Sequence, residues 1–410
     1  MGLYSFLCLT SVLAASAYAG CTKNLVGDLT FKLSGYDIAF PCESTKNIYK
    51  NTGSYIPRHI IATRMQIWKD EAFVALPRYK HGVPFTLGKF SMKQKGCRPQ
   101  IQPFPPCWAM QEEGNCDSLQ NVVDISIDSQ NQLWALDTGI VNTLQQPILR
   151  CCPKLVGFNL LTGLTVKIIN LKPYVVPESR LQHVIVDYTK EGVAFAYIAD
   201  GGSGAIIVIN LALGTGFRIV LPNAINEGCD KDVLYIQLAR KSSGNVLYFS
   251  YLGSPRLFSI KADFLQKGLA TGTVVDVGAK PQSIGLVLLG TDNGAALIFR
   301  YKGESDIYIW NTETQFRPEN FVLVQKGDDC RLATQVVAGY KKLIFVQRTS
   351  YWFRKEMIAD WLLKLWLDTR NSCGLLKVTS LILCWLLMEV LDPRLLSILL
   401  SKPANRCFIC

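Results

Sequence analysis

Asp137-Thr138-Gly139 is the triplet in this chain that most resembles catalytic equipment, a carboxylate on a tight turn beside a hydroxyl. Acid hydrolysis by carboxylates needs two of them sharing a proton, and no second Asp-Thr-Gly follows. The expected role is therefore structural, with Asp137 and Thr138 bonding to a turn and Gly139 giving a permissive backbone. Cys151-Cys152 is a candidate reactive pair, although one of the two is expected to be a disulfide partner. His59, His81 and His183 are too few and too scattered for a metal cluster, and His183 lies beside an apolar strand where a satisfied core role is commoner. Cys407-Phe408-Ile409-Cys410 stands alone at the end of the chain, two ligands short of a zinc site. No Gly-x-Ser-x-Gly elbow, His-Glu-x-x-His pair or phosphate loop occurs. No metal and no cofactor is expected.

The chain that must position these residues has 410 of them, 49% hydrophobic and 18% charged, enough apolar surface for a large core. Its formal charge is +11, but the cations are scattered, so nucleic acid is not an expected partner. Leu3 to Ala15 is a short apolar stretch followed by Ala17-Tyr18-Ala19 before Gly20, the pattern of a secretory signal peptide over residues 1–19. Fourteen cysteines fit an oxidising, extracellular destination.

Six units share one pattern: an alternating apolar strand, a turn rich in Gly, Asp, Asn or Ser, then a second apolar strand. They begin near residues 62, 122, 184, 232, 284 and 334. Further short strands such as Ala205 to Asn210 and Phe217 to Leu221 follow most of them. Three or four strands per unit and few helical stretches predict an all-β, six-bladed β-propeller over residues 61–350, after an N-terminal segment 20–60. Trp68, Trp108, Trp134 and Trp310 are expected to pack between blades, where an aromatic at a channel mouth could also stack on a small ring. Propellers place function where loops converge at that mouth, so Asp137, Asn142, Asp200 and Tyr251 are the candidate ligand-binding residues.

Several of these stretches resemble the yellow / major royal jelly protein family of insects. They are Arg64 to Leu87, Leu133-Trp-Ala-Leu-Asp-Thr-Gly-Ile-Val-Asn142, Cys151-Cys-Pro-Lys-Leu155, Arg180-Leu-Gln182, Asp232-Val-Leu-Tyr235 and Ile309-Trp-Asn311. The resemblance covers roughly residues 60 to 345. Gln111 to Cys116 and Gly139 to Pro147 look most like the yellow-g subgroup, associated with insect eggshell. It implies a Cys116–Cys151 disulfide and leaves Cys152 where the family has another residue. Cys229–Cys330 is the next expected pair, then the local pairs Cys97–Cys107 and Cys21–Cys42.

The chain departs from the family near Phe345, and residues 351–410 form an atypical tail. Thr379 to Met388 is apolar but short of the roughly 20 residues that span a bilayer. An altered C-terminus is the first reading of the tail, ahead of an amphipathic segment or an anchor; membrane contact is not expected. If that reading holds, the last blade is incomplete. The function implied by the resemblance is non-catalytic maturation of eggshell or cuticle, with matrix or eggshell proteins as partners. The alternatives are a dopachrome-converting enzyme of melanin formation and a binder of biogenic amines, either taking a small aromatic amine or catechol. A metal-dependent lactonase, by analogy with other six-bladed folds, comes last.

Overall fold

The computed structural model describes residues 31–350 other than 94–97, 226–230, 270–272, 282–284, 328–330 and 340–343. The leader, the tail, Cys21, Cys97, Cys229 and Cys330 lie outside the described residues. Two compact units divide the chain, residues 1–329 with 333–348 and residues 330–332 with 349–410.

Blade 1 is β1 to β4: Arg64–Trp68, Glu71–Ala75, Leu87–Ser91 and Gln102–Pro103. Blade 2 holds β5 (Val122–Ile127), β6 (Gln132–Asp137), β9 (Lys154–Asn159) and β10 (Thr165–Asn170). A short hairpin, β7 (Ile140–Val141) and β8 (Ile148–Leu149), interrupts it. Blade 3 is β11 to β14: Leu181–Tyr188, Ala194–Asp200, Ala205–Asn210 and Thr215–Val220. Blade 4 is β15 to β18: Leu234–Ala239, Val246–Tyr251, Arg256–Lys261 and Val275–Ala279. Blade 5 is β19 to β22: Leu286–Thr291, Ala296–Tyr301, Ile307–Asn311 and Phe321–Gln325. The sixth unit pairs β23 (Arg331–Ala338) with β24 (Ile344–Ser350).

The strands form antiparallel meanders, so the all-β propeller expected from the repeat is what folds. The blade count differs slightly: five blades have four strands, and the sixth has two among the described residues.

Alternation explains the stacking. In β5 the side chains of Val122 and Ile125 are buried, and in β6 Leu133 to Asp137 are all covered, because both sheet faces meet a neighbouring blade. The apolar clusters accordingly fall between blades. Phe73, Phe104, Val122, Ile125 and Phe158 join blades 1 and 2. Trp134, Val184, Ile198 and Ile209 join blades 2 and 3. Tyr248 and Trp310 meet edge to face at 5.7 Å between blades 4 and 5. Each fully buried side chain of this size contributes about 1.5–3 kcal/mol.

Three of the four tryptophans pack as expected. Trp68 packs against the blade 1–2 cluster and donates Nε1 to Asn131 Oδ1 at 2.8 Å. Trp108 does not sit between blades. It stacks on Phe40 at 5.2 Å and clamps the N-terminal segment, with its helix α1 (Glu43–Asn51), onto blade 1. Tyr55 closes the same cluster by donating to Gly35 O at 2.8 Å, and burial pushes its phenol up to about 12.

Candidate functional site on the propeller axis

The first strand of each blade lies innermost and touches the first strands of its neighbours. Four such strands carry a polar side chain to a common point. Arg64 on β1 places Nη2 3.0 Å from His183 Nδ1 on β11 and Nε 3.7 Å from Asp124 Oδ1 on β5. Its Nη1 donates to Thr334 O on β23 at 2.9 Å. Asp124 Oδ2 accepts Val184 N at 2.9 Å and stands 3.4 Å from His183 Nδ1. Tyr235 on β15 stacks on the His183 ring at 5.5 Å with 24° between planes. The amide of Gln335 on β23 closes the circle by accepting Met65 N at 2.7 Å.

His183, Asp124 and Tyr235 are 6–8% exposed, so this constellation is nearly withdrawn from water. The two contacts on His183 Nδ1 make opposite demands. Arg64 can only donate, which requires a lone pair on Nδ1, whereas Asp124 would favour a proton there. The shorter contact is to Arg64, and the Asp124 carboxylate already accepts the N–H groups of Val184 and Ile125. Burial first, and then Arg64, lower the His183 pKa from its ordinary 6.5, so the ring is neutral at pH 7.

A fifth group arrives from the loop between β2 and β3. Arg78 is 2% exposed and has no carboxylate partner among the described residues; its five N–H groups go to the carbonyls of Val83, Pro84, Gln111, Leu119 and Gln120. That knot fixes the neighbouring Tyr79, whose phenol is raised by burial and feels both Arg64 and Asp124. The site therefore combines a guanidinium, a neutral imidazole, a carboxylate and two phenols. It can hold a flat ring against Tyr235, bind an electron-rich oxygen at Arg64, and exchange a proton through His183 and Asp124. Among the described residues no group of three or more His, Cys, Asp and Glu converges as a metal site.

The residues expected at the channel mouth have other employment. Asp137, Asp200 and Tyr251 end the second strand of blades 2, 3 and 4, opposite Val122, Leu181 and Leu234. Asp137 is fully buried; its carboxylate accepts Gln120 N, Asn121 N and Gly139 N at 2.8–2.9 Å. Asp200, also fully buried, accepts Arg180 N at 2.7 Å and the hydroxyls of Ser179 and Ser203. Tyr251 reaches from blade 4 to donate to Gly201 O at 2.8 Å. These three residues tie the entry of each inner strand to the turn beside it. Asn142 differs: it holds a left-handed turn at φ 58° in the β7–β8 loop, and its Oδ1 is buried without a partner.

Cys116 and Cys151 form a disulfide with Cα atoms 5.4 Å apart. Cys42, Cys107 and Cys152 are free and exposed, while Cys21 and Cys97, the expected partners of Cys42 and Cys107, lie outside the described residues. Cys42, just ahead of α1, sets its thiol against the hydroxyls of Ser44 and Thr45, which draw its pKa down to about 7.

Sequence reasoning missed the axial cluster because it weighed His183 alone. The available signal was positional. Asp124 and His183 each occupy the third place of an inner strand, where apolar residues dominate, and Arg64 opens the first one.

The comparisons with known proteins bear on the same region. The family model for major royal jelly protein matches residues 120–356. Dopaminechrome tautomerase of Drosophila melanogaster is 23% identical over 316 residues, 68% of this chain and 68% of that protein. Major royal jelly protein 1 of Apis mellifera is 24% identical over 331 residues, 75% of this chain and 74% of that one. Protein yellow of Drosophila subobscura is 24% identical over 324 residues, 71% of this chain but 56% of its own length. Among solved structures, virginiamycin B lyase of Staphylococcus aureus aligns at a TM-score of 0.44 and 14% identity, over 71% of this chain and 78% of that one, too loosely to carry an argument. With the family model matching more than half its length, this chain belongs to the yellow / major royal jelly protein family.

Proposed function

We propose that this protein is an extracellular yellow-family propeller that binds a small catechol-derived ring at its axis and moves a proton on it. The observation that carries this reading is the meeting of Arg64, Asp124, His183 and Tyr235 from four inner strands. An aminochrome isomerises when a proton leaves a ring carbon and another reaches a quinone oxygen, with no net transfer of electrons. Tyr235 would support the ring, Arg64 would hold the oxygen as charge grows on it, and the His183–Asp124 pair would carry the proton. The relative named dopaminechrome tautomerase supports this choice of substrate class. The Ala17-Tyr18-Ala19 pattern and the Cys116–Cys151 disulfide support secretion.

The test follows aminochrome absorbance with purified, secreted protein against a heat-inactivated control. Turnover well beyond one equivalent is expected, and His183→Gln should lower the rate by about 10²–10⁴-fold while the circular dichroism stays unchanged. A flat trace from folded protein would sink the enzymatic reading.

A second reading is non-catalytic maturation of eggshell or cuticle, as in the yellow-g subgroup. Its support is the outer strands: Val322, Leu323 and Val324 on β22 and Val166 and Ile168 on β10 are all exposed, which suits packing within an apolar layer. Matrix or eggshell proteins would then be the partners.

A further inference from the structure

Gly201-Gly202-Ser203-Gly204, the turn between β12 and β13, is rimmed by three cations from three separate segments. Arg218 on β14 donates Nη2 to Ser203 O at 3.5 Å, and its Nε is buried without a partner. Lys231, ahead of β15, lies over Gly204, so that a methyl group there would sit 3.7 Å from its Nζ. Arg180, entering β11, donates to the backbone carbonyls of Lys231 and Asp232 and so brings its guanidinium to the same rim.

None of the three forms an ion pair with a carboxylate among the described residues. Two described carboxylates beside the turn, Asp200 and Asp232, are turned to other tasks. Asp200 is fully buried and takes the Arg180 and Ser203 N–H groups with two serine hydroxyls. Asp232 accepts Gly253 N through Oδ2, and its Oδ1 is buried. Gathering like charges is unfavourable, by about 1 kcal/mol for a pair 4 Å apart in water and more at a protein surface. A rim of cations that keeps an unspent buried N–H is instead well suited to an anion with several acceptor oxygens.

We propose that this rim, on blades 3 and 4, is a binding site for a tetrahedral oxyanion, a sulfate or phosphate group. Arg180, Arg218 and Lys231 offer donors of different geometry, and at Gly204 the turn carries no side chain beneath Lys231. The site is separate from the axial cluster and does not depend on the function proposed for it.

The test titrates the intact secreted protein calorimetrically with inorganic sulfate and inorganic phosphate, at ionic strength held constant with chloride. One saturable site per chain is expected. Lys231→Gln, an exposed position where folding is not at stake, should weaken it by about tenfold or more. Arg218→Lys keeps the charge but removes Nε, and should weaken it as well, with the melting temperature as a check on folding. A sulfated sugar and a phosphate monoester run in parallel identify the source of the group, and binding of either supports the proposal. Heat no greater than that of chloride, or undiminished binding by Lys231→Gln, overturns it.

Discussion

His183 and Asp187 lie four residues apart on β11, and burial moves their pKa values in opposite directions, favouring the neutral form of each. His183 is held neutral, so its folded pKa lies below 6.5, and the folded state resists protonation that the unfolded chain accepts. Stability from this group is therefore lost as pH falls below the ordinary histidine range. If the axial site moves a proton through the neutral ring, the acid limb of the rate profile should fall below pH 6.5, and a limb at or above 6.5 would contradict that role. Asp187 is raised by burial above 3.8, against the opposing pull of Arg240, Asn245 and Tyr197. Its contribution is fully present below the unfolded pKa and is lost as pH rises through the folded one. Asp187→Asn should thus be relatively more stable at pH 7 than at pH 4 when compared with wild type by urea denaturation. Asn245 Nδ2 and Tyr197 Oη, at 2.7 and 3.3 Å, keep a hydrogen-bonding partner in that variant. An equal difference at both pH values would show that ionisation of Asp187 is not what burial opposes.

At the scale of elements, the end of β6 shows why a motif of catalytic appearance is architectural. Asp137 draws in three backbone N–H groups, and Gly139 follows at φ 70°. A Cβ on Gly139 would lie 2.0 Å from Cys151 O, a contact that backbone must move to relieve. Gly139→Ala is expected to cost more than the roughly 1–2 kcal/mol of a left-handed residue alone, read as a lower urea midpoint. A midpoint within error of wild type would show that the Cys151 strand entry yields freely. The same element explains how much of the site was legible. The structural role of Asp137-Thr138-Gly139 could be read from the missing second triplet, and hydrogen bonds from Asn121 and Gly139 complete it. Asp200 and Tyr251, expected on loops at the channel mouth, end second strands, and which way a strand end faces depends on the neighbouring blade, so their burial was not legible.

At the scale of the whole molecule, one disulfide among the described residues crosses a long loop. Cys116 and Cys151 are 35 residues apart, a separation for which the chain-entropy account gives about 4 kcal/mol of stabilisation. Cys116→Ser with Cys151→Ser should lose roughly 2–4 kcal/mol, while the free thiols Cys42, Cys107 and Cys152 can each be changed to Ser with little effect. A fully stable double variant would assign the loop's order to Lys154, whose Nζ donates to Cys116 O and Ser118 O.

The sequence by itself determined the repeat, the strand alternation, the family and the Cys116–Cys151 pair, because each depends on spacing along the chain or on motifs carried intact within it. Tertiary structure alone decided the axial cluster. Arg64 and His183 are 119 positions apart and meet at 3.0 Å only because ring closure brings every inner strand to one axis. It also decided that Trp108 clamps the N-terminal segment, and that Arg180, Arg218 and Lys231 gather at one turn. Local pattern reports which face of a strand is buried. What that face is buried against is set by blade packing, which is a property of the closed ring.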